Sequence, residues 1–184
     1  MSLNHAILGL LTYQPMSGYT LKTRYFDRSI AHFWPADQAQ IYRVLNVLQA
    51  DGLVTAETVA SDTRPNRREF SITDAGRAAL TGWLAENQTP PVVKDPFLVQ
   101  LYFGRLLSRE QMLRVLHTRR AEHEKLRDYF DALEIPQPDS AEMRRQALFG
   151  ALTLDFARRR ERMTLEWLDA CIEVVSTLPT DQSI

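Results

Sequence analysis

The sequence predicts a mainly α-helical protein with a small β-hairpin: an N-terminal winged helix-turn-helix joined to a C-terminal dimerisation domain of long helices. Three observations carry this prediction. The first fifty residues hold three short segments with apolar residues three and four apart. Residues 53–73 then switch to a two-residue alternation around a basic turn, and beyond a proline-rich stretch the chain returns to helical spacing over much longer segments. The expected divisions are residues 1–86 for the winged helix, 87–96 for a linker and 97–184 for the helical domain.

Leu3 to Tyr13 reads as the first helix, with Leu3, Ile7, Leu10 and Leu11 on one face, and it stops at Pro15. Ser17 is a good N-cap for a second helix whose wide apolar face holds Tyr19, Leu21, Tyr25, Phe26 and Ile30. Asp37 caps a third, in which Ile41, Val44, Leu45 and Leu48 form the inward stripe and Asp51-Gly52 supplies the stop. Leu53 to Val59 and Glu69 to Thr73 alternate as strands do. The stretch between them, ASDTRPNRR, is rich in turn formers, so the pair reads as a hairpin with a long basic tip. Asp74 then precedes a fourth helix with Ala75, Ala78, Ala79, Leu80, Trp83 and Leu84 as its apolar residues.

Residues 87–96, NQTPPVVKDP, lack periodicity and carry three prolines, the marks of a linker. Pro96 to Leu107 reads as one helix. Ser108-Arg109-Glu110-Gln111 is a capping-box sequence that opens a long helix to about Glu134, along which Met112, Leu116, Leu126, Phe130 and Leu133 keep helical spacing while Arg119 and His123 fall on the same stripe. After Pro136 and Pro138, Asp139 starts a last helix reaching about Leu178, ~55 Å long for ~35 to 40 residues. Its stripe of Met143, Leu154, Leu165, Leu168, Ile172 and Val175 is joined by Leu148, Leu152, Phe156, Trp167 and Val174, more apolar surface than two other helices can cover. A homodimer closed by that stripe of the last helix, together with the preceding helix, is therefore expected, placing two recognition helices about one DNA turn apart over a palindromic site. The basic run Arg158, Arg159, Arg160 and Arg162 reads as an ion-paired face, with Asp155 to Arg159, Arg158 to Glu161 and Arg162 to Glu166 at helical spacing.

In a winged helix-turn-helix the third helix enters the major groove and the wing meets the backbone or minor groove. Gln38, Gln40, Tyr42, Arg43 and Asn46 lie off the apolar stripe of the third helix; Gln and Asn suit adenine edges and Arg suits guanine. Arg64, Arg67 and Arg68, turned by Pro65 and Asn66, suit phosphates or a narrow minor groove. The free N–H groups behind Ser17, with Tyr19 and Lys22 nearby, form a third candidate contact with a phosphate.

Three strings, ILGLLTYQPMSGYTL (residues 7–21), IYRVLNVLQADGLV (41–54) and TRPNRREFSITDAGRAAL (63–80), together resemble the PadR family of bacterial transcriptional regulators. The helical remainder is similar to that family's longer, virulence-activator-like C-terminal domain. The resemblance implies dimers, mostly repressors, that hold operator DNA through the winged helix, some releasing it on binding phenolic acids or other aromatic molecules. It also implies that Tyr42 stands at the family's recognition-helix tyrosine, Gly18 and Tyr19 at the start of its second helix, and residues 64–68 at its wing tip. Many members carry proline after the tyrosine where this chain has Arg43, so an operator sequence is not implied.

Composition sets the remaining bounds. With 45% hydrophobic and 24% charged residues, 7 Gly and 9 Pro in 184, disordered and collagen-like classes are excluded. The 22 basic and 23 acidic residues nearly cancel, so a nucleic-acid role rests on local placement rather than net charge. The lone Cys171 excludes an internal disulfide and a CxxC zinc site and fits a reducing compartment. Apolar runs no longer than Ala6 to Leu8 or Phe97 to Val99 exclude a membrane-spanning helix, and the N-terminus lacks a secretory pattern, so a cytoplasmic protein is expected.

No GxGxxG, P-loop, GxSxG or paired-carboxylate motif occurs; His117 and His123 lie ~240° apart on a helix, and Arg127 stands where a zincin helix needs its second histidine. No enzyme, metal or cofactor is expected. Phe103, Arg119, His123 and Phe149 on the C-terminal helices are candidates for an effector site, because apolar walls with one cation suit an aromatic carboxylate. The competing function is a winged-helix protein-interaction adaptor that does not bind DNA, which would lack the steep salt dependence of phosphate contacts.

Overall fold

A computed structural model of the protein describes residues 2–59, 67–135 and 140–179. The chain divides into two compact units, Met1–Pro91 and Val92–Ile184.

In the first unit, helix α1 (Ser2–Leu11) buries Ile7, Leu8, Leu10 and Leu11. The chain then passes Met16, whose backbone exchanges hydrogen bonds of 3.0 and 2.9 Å with Phe70, and Ser17 Oγ accepts from the Thr20 N–H at 3.1 Å to open helix α2 (Gly18–Leu21). The expected single second helix is not regular: from Lys22 to Ser29 it widens into a π-helix, closed by an Ile30 N–H bond to the Tyr25 carbonyl at 3.1 Å. The fully buried Leu21 and Phe26 explain the widening. Five residues apart, they would point about 140° from each other on an α-helix. The i→i+5 bonding of a π-turn brings such a pair over one another.

Helix α3 (Gln38–Ala50) is opened by a reciprocal capping box between Asp37 and Gln40 and buries Ile41, Leu45 and Leu48, with Val44 only half-buried. Gly52, at φ +71°, ends it and turns the chain into the hairpin. Strands β1 (Val54–Val59) and β2 (Arg67–Ile72) pair antiparallel from Val54↔Ile72 to Val59↔Arg67. Arg67 and Arg68 are therefore strand residues opposite Val59 and Thr58 and not tip residues as expected. Arg64 and Asn66 lie outside the described residues.

Thr73, one position before the expected Asp74, caps helix α4 (Asp74–Ala85) by accepting from the Gly76 N–H at 3.0 Å. Gly76 is needed there: a Cβ would fall 2.2 Å from the Leu53 carbonyl oxygen. Of the apolar residues expected on α4, Leu80 is buried, Trp83 stacks on His5 at 4.3 Å, and Leu84 is exposed.

The second unit begins with Asp95, whose carboxylate accepts from the Phe97 N–H at 2.9 Å to open helix α5 (Pro96–Tyr102). The expected run to Leu107 breaks at Phe103 into a 3-10 turn, Gly104–Leu106, where a Cβ on Gly104 would sit 2.4 Å from Met112 Cε. Helix α6 (Arg109–Ala132) carries the expected capping box, with bonds of 3.2 and 2.8 Å between Ser108 and Gln111. Helix α7 (Ala141–Ser176) is 36 residues long and is capped by Ser140; the expected Asp139 lies outside the described residues.

Helices α6 and α7 pack antiparallel around two small cores. Met112 and Leu116 meet Leu168 and α5's Phe97 at one end; Phe130 meets Leu154 and Ala157 at the other. Leu126, expected on the inward stripe, is exposed. Arg120 also joins the two helices through Asp169 at 2.5 Å, a hydrogen bond that holds the Asp169 carboxyl below its usual range.

The expected interface stripe of α7 faces inward. Leu154, Leu165 and Leu168 are buried within this chain, and Ile172 and Val175 pack against the Phe97 core; of the six residues only Met143 is well exposed. Besides Met143, the large exposed apolar residues of α7 are Leu148, Phe149, Leu152, Phe156, Met163, Trp167 and Val174. At ~100° per residue their centre lies roughly 150° round the helix from the buried row. The arginine run also departs from expectation. Asp155 does pair with Arg159, at 2.7 Å, but Arg158 donates to the Phe130 and Leu133 carbonyls at 2.9 and 2.8 Å, and Arg162 pairs with Asp131 at 3.2 Å.

Candidate functional site

The outward face of α3 presents Gln38, Gln40, Arg43 and Asn46 as exposed side chains, with Tyr42 half-buried at its edge. Ile41, Leu45 and Leu48 anchor the opposite face in the core, so the polar row stands on a rigid support. The Tyr42 ring lies against Gly18: a Cβ there would be 2.7 Å from its Cε1 and Cζ, so glycine sets how closely α2 approaches α3. Gln40 is partly occupied, since its Oε1 accepts from the Asp37 N–H at 3.1 Å. Among the described residues Arg43 forms no ion pair, leaving its fork free.

The two described wing arginines are engaged. Arg67 pairs with Glu69 at 2.9 Å. Arg68 lies with Cζ 5.1 Å from the centre of the buried Phe70 ring and donates to Asn46 Oδ1 at 3.4 Å and to Gln49 Oε1. The candidate contact at α2 is also altered: Ser17 is buried and its hydroxyl oxygen serves the Thr20 N–H, while Lys22 pairs with Asp27 at 2.5 Å. Tyr19 alone of that trio is exposed and unengaged by an ion pair or ring among the described residues.

In the second unit a cleft of about 590 Å³ opens between α5, α6 and α7, lined by Phe97, Leu98, Arg119, His123, Met163 and Trp167 among others. Arg119 lies over the Phe97 ring, Cζ 5.3 Å from its centre, and bonds the Asp95 carboxylate at 3.4 Å. His123 Nδ1 is 2.5 Å from Glu161 Oε2; Glu161 is 1% exposed and also accepts from Arg160 Nε at 3.0 Å. Of the four expected effector residues the fold brings Arg119 and His123 to this cleft. Phe103 instead lines a neighbouring groove with Leu98, Val99 and Tyr102, and Phe149 is exposed twelve residues before Glu161, roughly 18 Å along α7. Asp95, Glu161 and Trp167 belong to the cleft but were absent from the sequence-based set. The signal for Glu161 was its position on an apolar stripe, which marks an acid that must find a buried partner.

Among the described residues no helix is long and apolar enough to cross a membrane, and no group of three His, Cys, Asp or Glu side chains could hold a metal ion.

Comparison with known proteins gives this arrangement a context. Residues 7–82 match the description "Transcriptional regulator PadR-like family", and residues 93–176 match "Virulence activator alpha C-term". The chain is 32% identical over 186 residues to the negative transcriptional regulator PadR of Bacillus subtilis, covering 94% of this chain and 97% of that one. The crystal structure of Bacillus subtilis PadR in complex with operator DNA superposes with a TM-score of 0.81 at 30% identity, over 95% of this chain and 99% of that one. Its complex with p-coumaric acid superposes with a TM-score of 0.74, also at 30% identity, over 96% and 99%. A winged helix with a solvent-facing polar row on its third helix, matched along nearly its whole length to such a regulator, places this chain in the PadR-like family of DNA-binding transcriptional regulators.

Proposed function

We propose that this protein is a homodimeric repressor that reads a palindromic operator and releases it when a small aromatic acid enters the cleft of its helical unit. The observation that carries the reading is the exposed row Gln38, Arg43 and Asn46 on a core-anchored α3, in a chain similar over 95% of its length to a regulator crystallised on operator DNA. Arg43, free of ion pairs among the described residues, is the base reader of choice because its fork matches the O6 and N7 of guanine. Tyr19, Lys22, Arg64, Asn66 and Arg67 serve the DNA backbone, Lys22 and Arg67 exchanging their carboxylates for phosphates. Residues 1–86 carry DNA reading, 87–96 the linker and 97–184 dimerisation and effector binding.

The dimer reading rests on the second apolar face of α7. Leu148, Leu152, Phe156, Met163 and Trp167 repeat at helical spacing and are exposed, whereas single scattered apolar residues would need no partner. The effector reading rests on Arg119. A ligand carboxylate that takes this guanidinium displaces Asp95, which is also the N-cap of α5, so occupancy of the cleft and the start of the helical unit are linked through one side chain. Bacillus subtilis PadR, crystallised with p-coumaric acid, supplies the ligand class to try first.

The test is selection of bound sequences from a random duplex pool, followed by affinity for the selected site against salt and against added p-coumaric acid. A palindromic motif, affinity falling steeply with salt and release by the acid are expected. A motif that the acid leaves bound overturns the effector reading alone. Absence of any salt-sensitive binding overturns the repressor reading and leaves a winged-helix adaptor.

A further inference from the structure

We propose that Arg68 sets which base Asn46 reads, by holding the Asn46 amide in one orientation. The proposal rests on the DNA-reading role of α3 argued above and adds a positioning residue to it. A guanidinium carries only donors, so an amide facing it must present its oxygen. Arg68 Nη1 donates to Asn46 Oδ1 at 3.4 Å, and its other terminal nitrogen donates to Gln49 Oε1 one turn further along α3. The guanidinium itself is fixed from below by the Phe70 ring, which is 0% exposed, and along the strand by the Thr58↔Arg68 register. One side chain of β2 thus spans two amides of the recognition helix.

The consequence is chemical. A free asparagine reads adenine with both of its amide atoms, the oxygen accepting from N6 and the nitrogen donating to N7. With Oδ1 turned toward Arg68, Asn46 turns its Nδ2 donors toward the groove. Donors alone match both the O6 and N7 acceptors of guanine, or the O4 of thymine, whereas on adenine they match N7 only and face the N6 donor. Asn46 therefore favours a keto base over adenine, and Arg68, a strand residue 22 positions away, is what costs it the second adenine contact.

Selection from a random duplex pool with the full-length protein and its Asn46→Ala, Arg68→Ala and doubly substituted forms tests this. The position read by Asn46 is the one whose preference disappears in Asn46→Ala. There the unsubstituted protein is expected to take guanine or thymine. Arg68→Ala is expected to shift relative preference toward adenine by about tenfold at that position only, and the double form to show no such shift. Arg68→Met, which keeps an aliphatic stem over Phe70, should give the same shift and replaces Arg68→Ala if that form melts earlier. An even loss of affinity across all sequences, with base preference unchanged, overturns the proposal and leaves Arg68 a phosphate contact. An unchanged motif in Asn46→Ala also overturns it. No motif with the unsubstituted protein removes the DNA-reading role itself, and the proposal with it.

Discussion

Gly76 and Gly18 are two positions where the absence of a Cβ decides packing. Gly76 sits against the Leu53 backbone and Gly18 against the Tyr42 ring, whereas Gly9 in α1 has nothing within 4 Å of the place a Cβ would occupy. Gly76→Ala must push α4 off the chain entering β1 and is expected to cost about 3 kcal/mol. Gly9→Ala should be neutral or gain up to ~1 kcal/mol from helix propensity. Urea denaturation of both variants checks the contrast, and equal effects would contradict it. The buried pair His123 and Glu161 makes a second residue-scale prediction. His123→Ala leaves a 1% exposed carboxylate with Arg160 as its remaining hydrogen-bond partner among the described residues and is expected to cost about 3 kcal/mol, while replacing His123 and Glu161 together by leucine should recover most of that loss. Thermal melting of the two forms decides it. Cys171 behaves as a packed apolar residue: burial against the Phe97 core pushes its thiol up and lowers its thiolate fraction.

Element boundaries follow from caps, and most of these were readable. Ser17, Asp37 and Ser108 each cap the helix that their sequence context predicts, because a hydroxyl or carboxylate needs only the N–H three residues on. The misplacements have local causes. Thr73 and Asp74 are both competent caps, and the Thr73 N–H is held by the Leu53 carbonyl at 3.1 Å, which selects the threonine. The π-helix had no local signature, since it answers to the burial of Leu21 and Phe26, whereas the break at Phe103 falls beside Gly104, a helix breaker that the apolar spacing around it masked. The end of α6 is the clearest case. Its carbonyls are satisfied by Arg158 of α7, which lies 28 residues beyond Phe130, in place of a glycine cap. Arg158→Ala is expected to cost about 2 kcal/mol, and Arg158→Lys to recover little, because an ammonium cannot reach the carbonyls of Phe130 and Leu133 with one fork. Chemical denaturation and amide exchange at the end of α6 read both.

At the scale of the whole molecule, α7 has two apolar faces with different work. The face bearing Leu154, Leu165 and Leu168 builds the core of the helical unit, and the face bearing Leu152, Phe156 and Met163 is exposed. Two substitutions separate them. Leu168→Ala is expected to lose about 2 to 5 kcal/mol of stability in the Phe97 core. Leu152→Glu with Phe156→Glu should leave the melting of each chain largely intact yet shift the proposed dimer to monomer in light scattering, with loss of palindromic DNA binding. A double variant that stays dimeric would place the interface elsewhere. The candidate DNA face was legible in kind: outward Gln38, Arg43 and Asn46 follow from the 3-4 spacing of Ile41, Leu45 and Leu48. Its occupancy was not, since Lys22, Arg67 and Arg68 each find a partner in the fold.

What the sequence determined by itself was the order of helical and strand segments, the inward stripe of α3 and the polar row opposite it. Periodicity and capping act over three or four residues, and a turn of helix carries that information wherever it is placed. Only the tertiary structure decided which stripe of α7 is core, that Glu161 meets His123 across 38 positions, and that Arg68 holds Asn46 across 22. An amphipathic helix with two apolar faces fits a core in either orientation. A charged group on an apolar stripe names no partner until packing brings one within hydrogen-bond reach, so these assignments come from the meeting of distant elements.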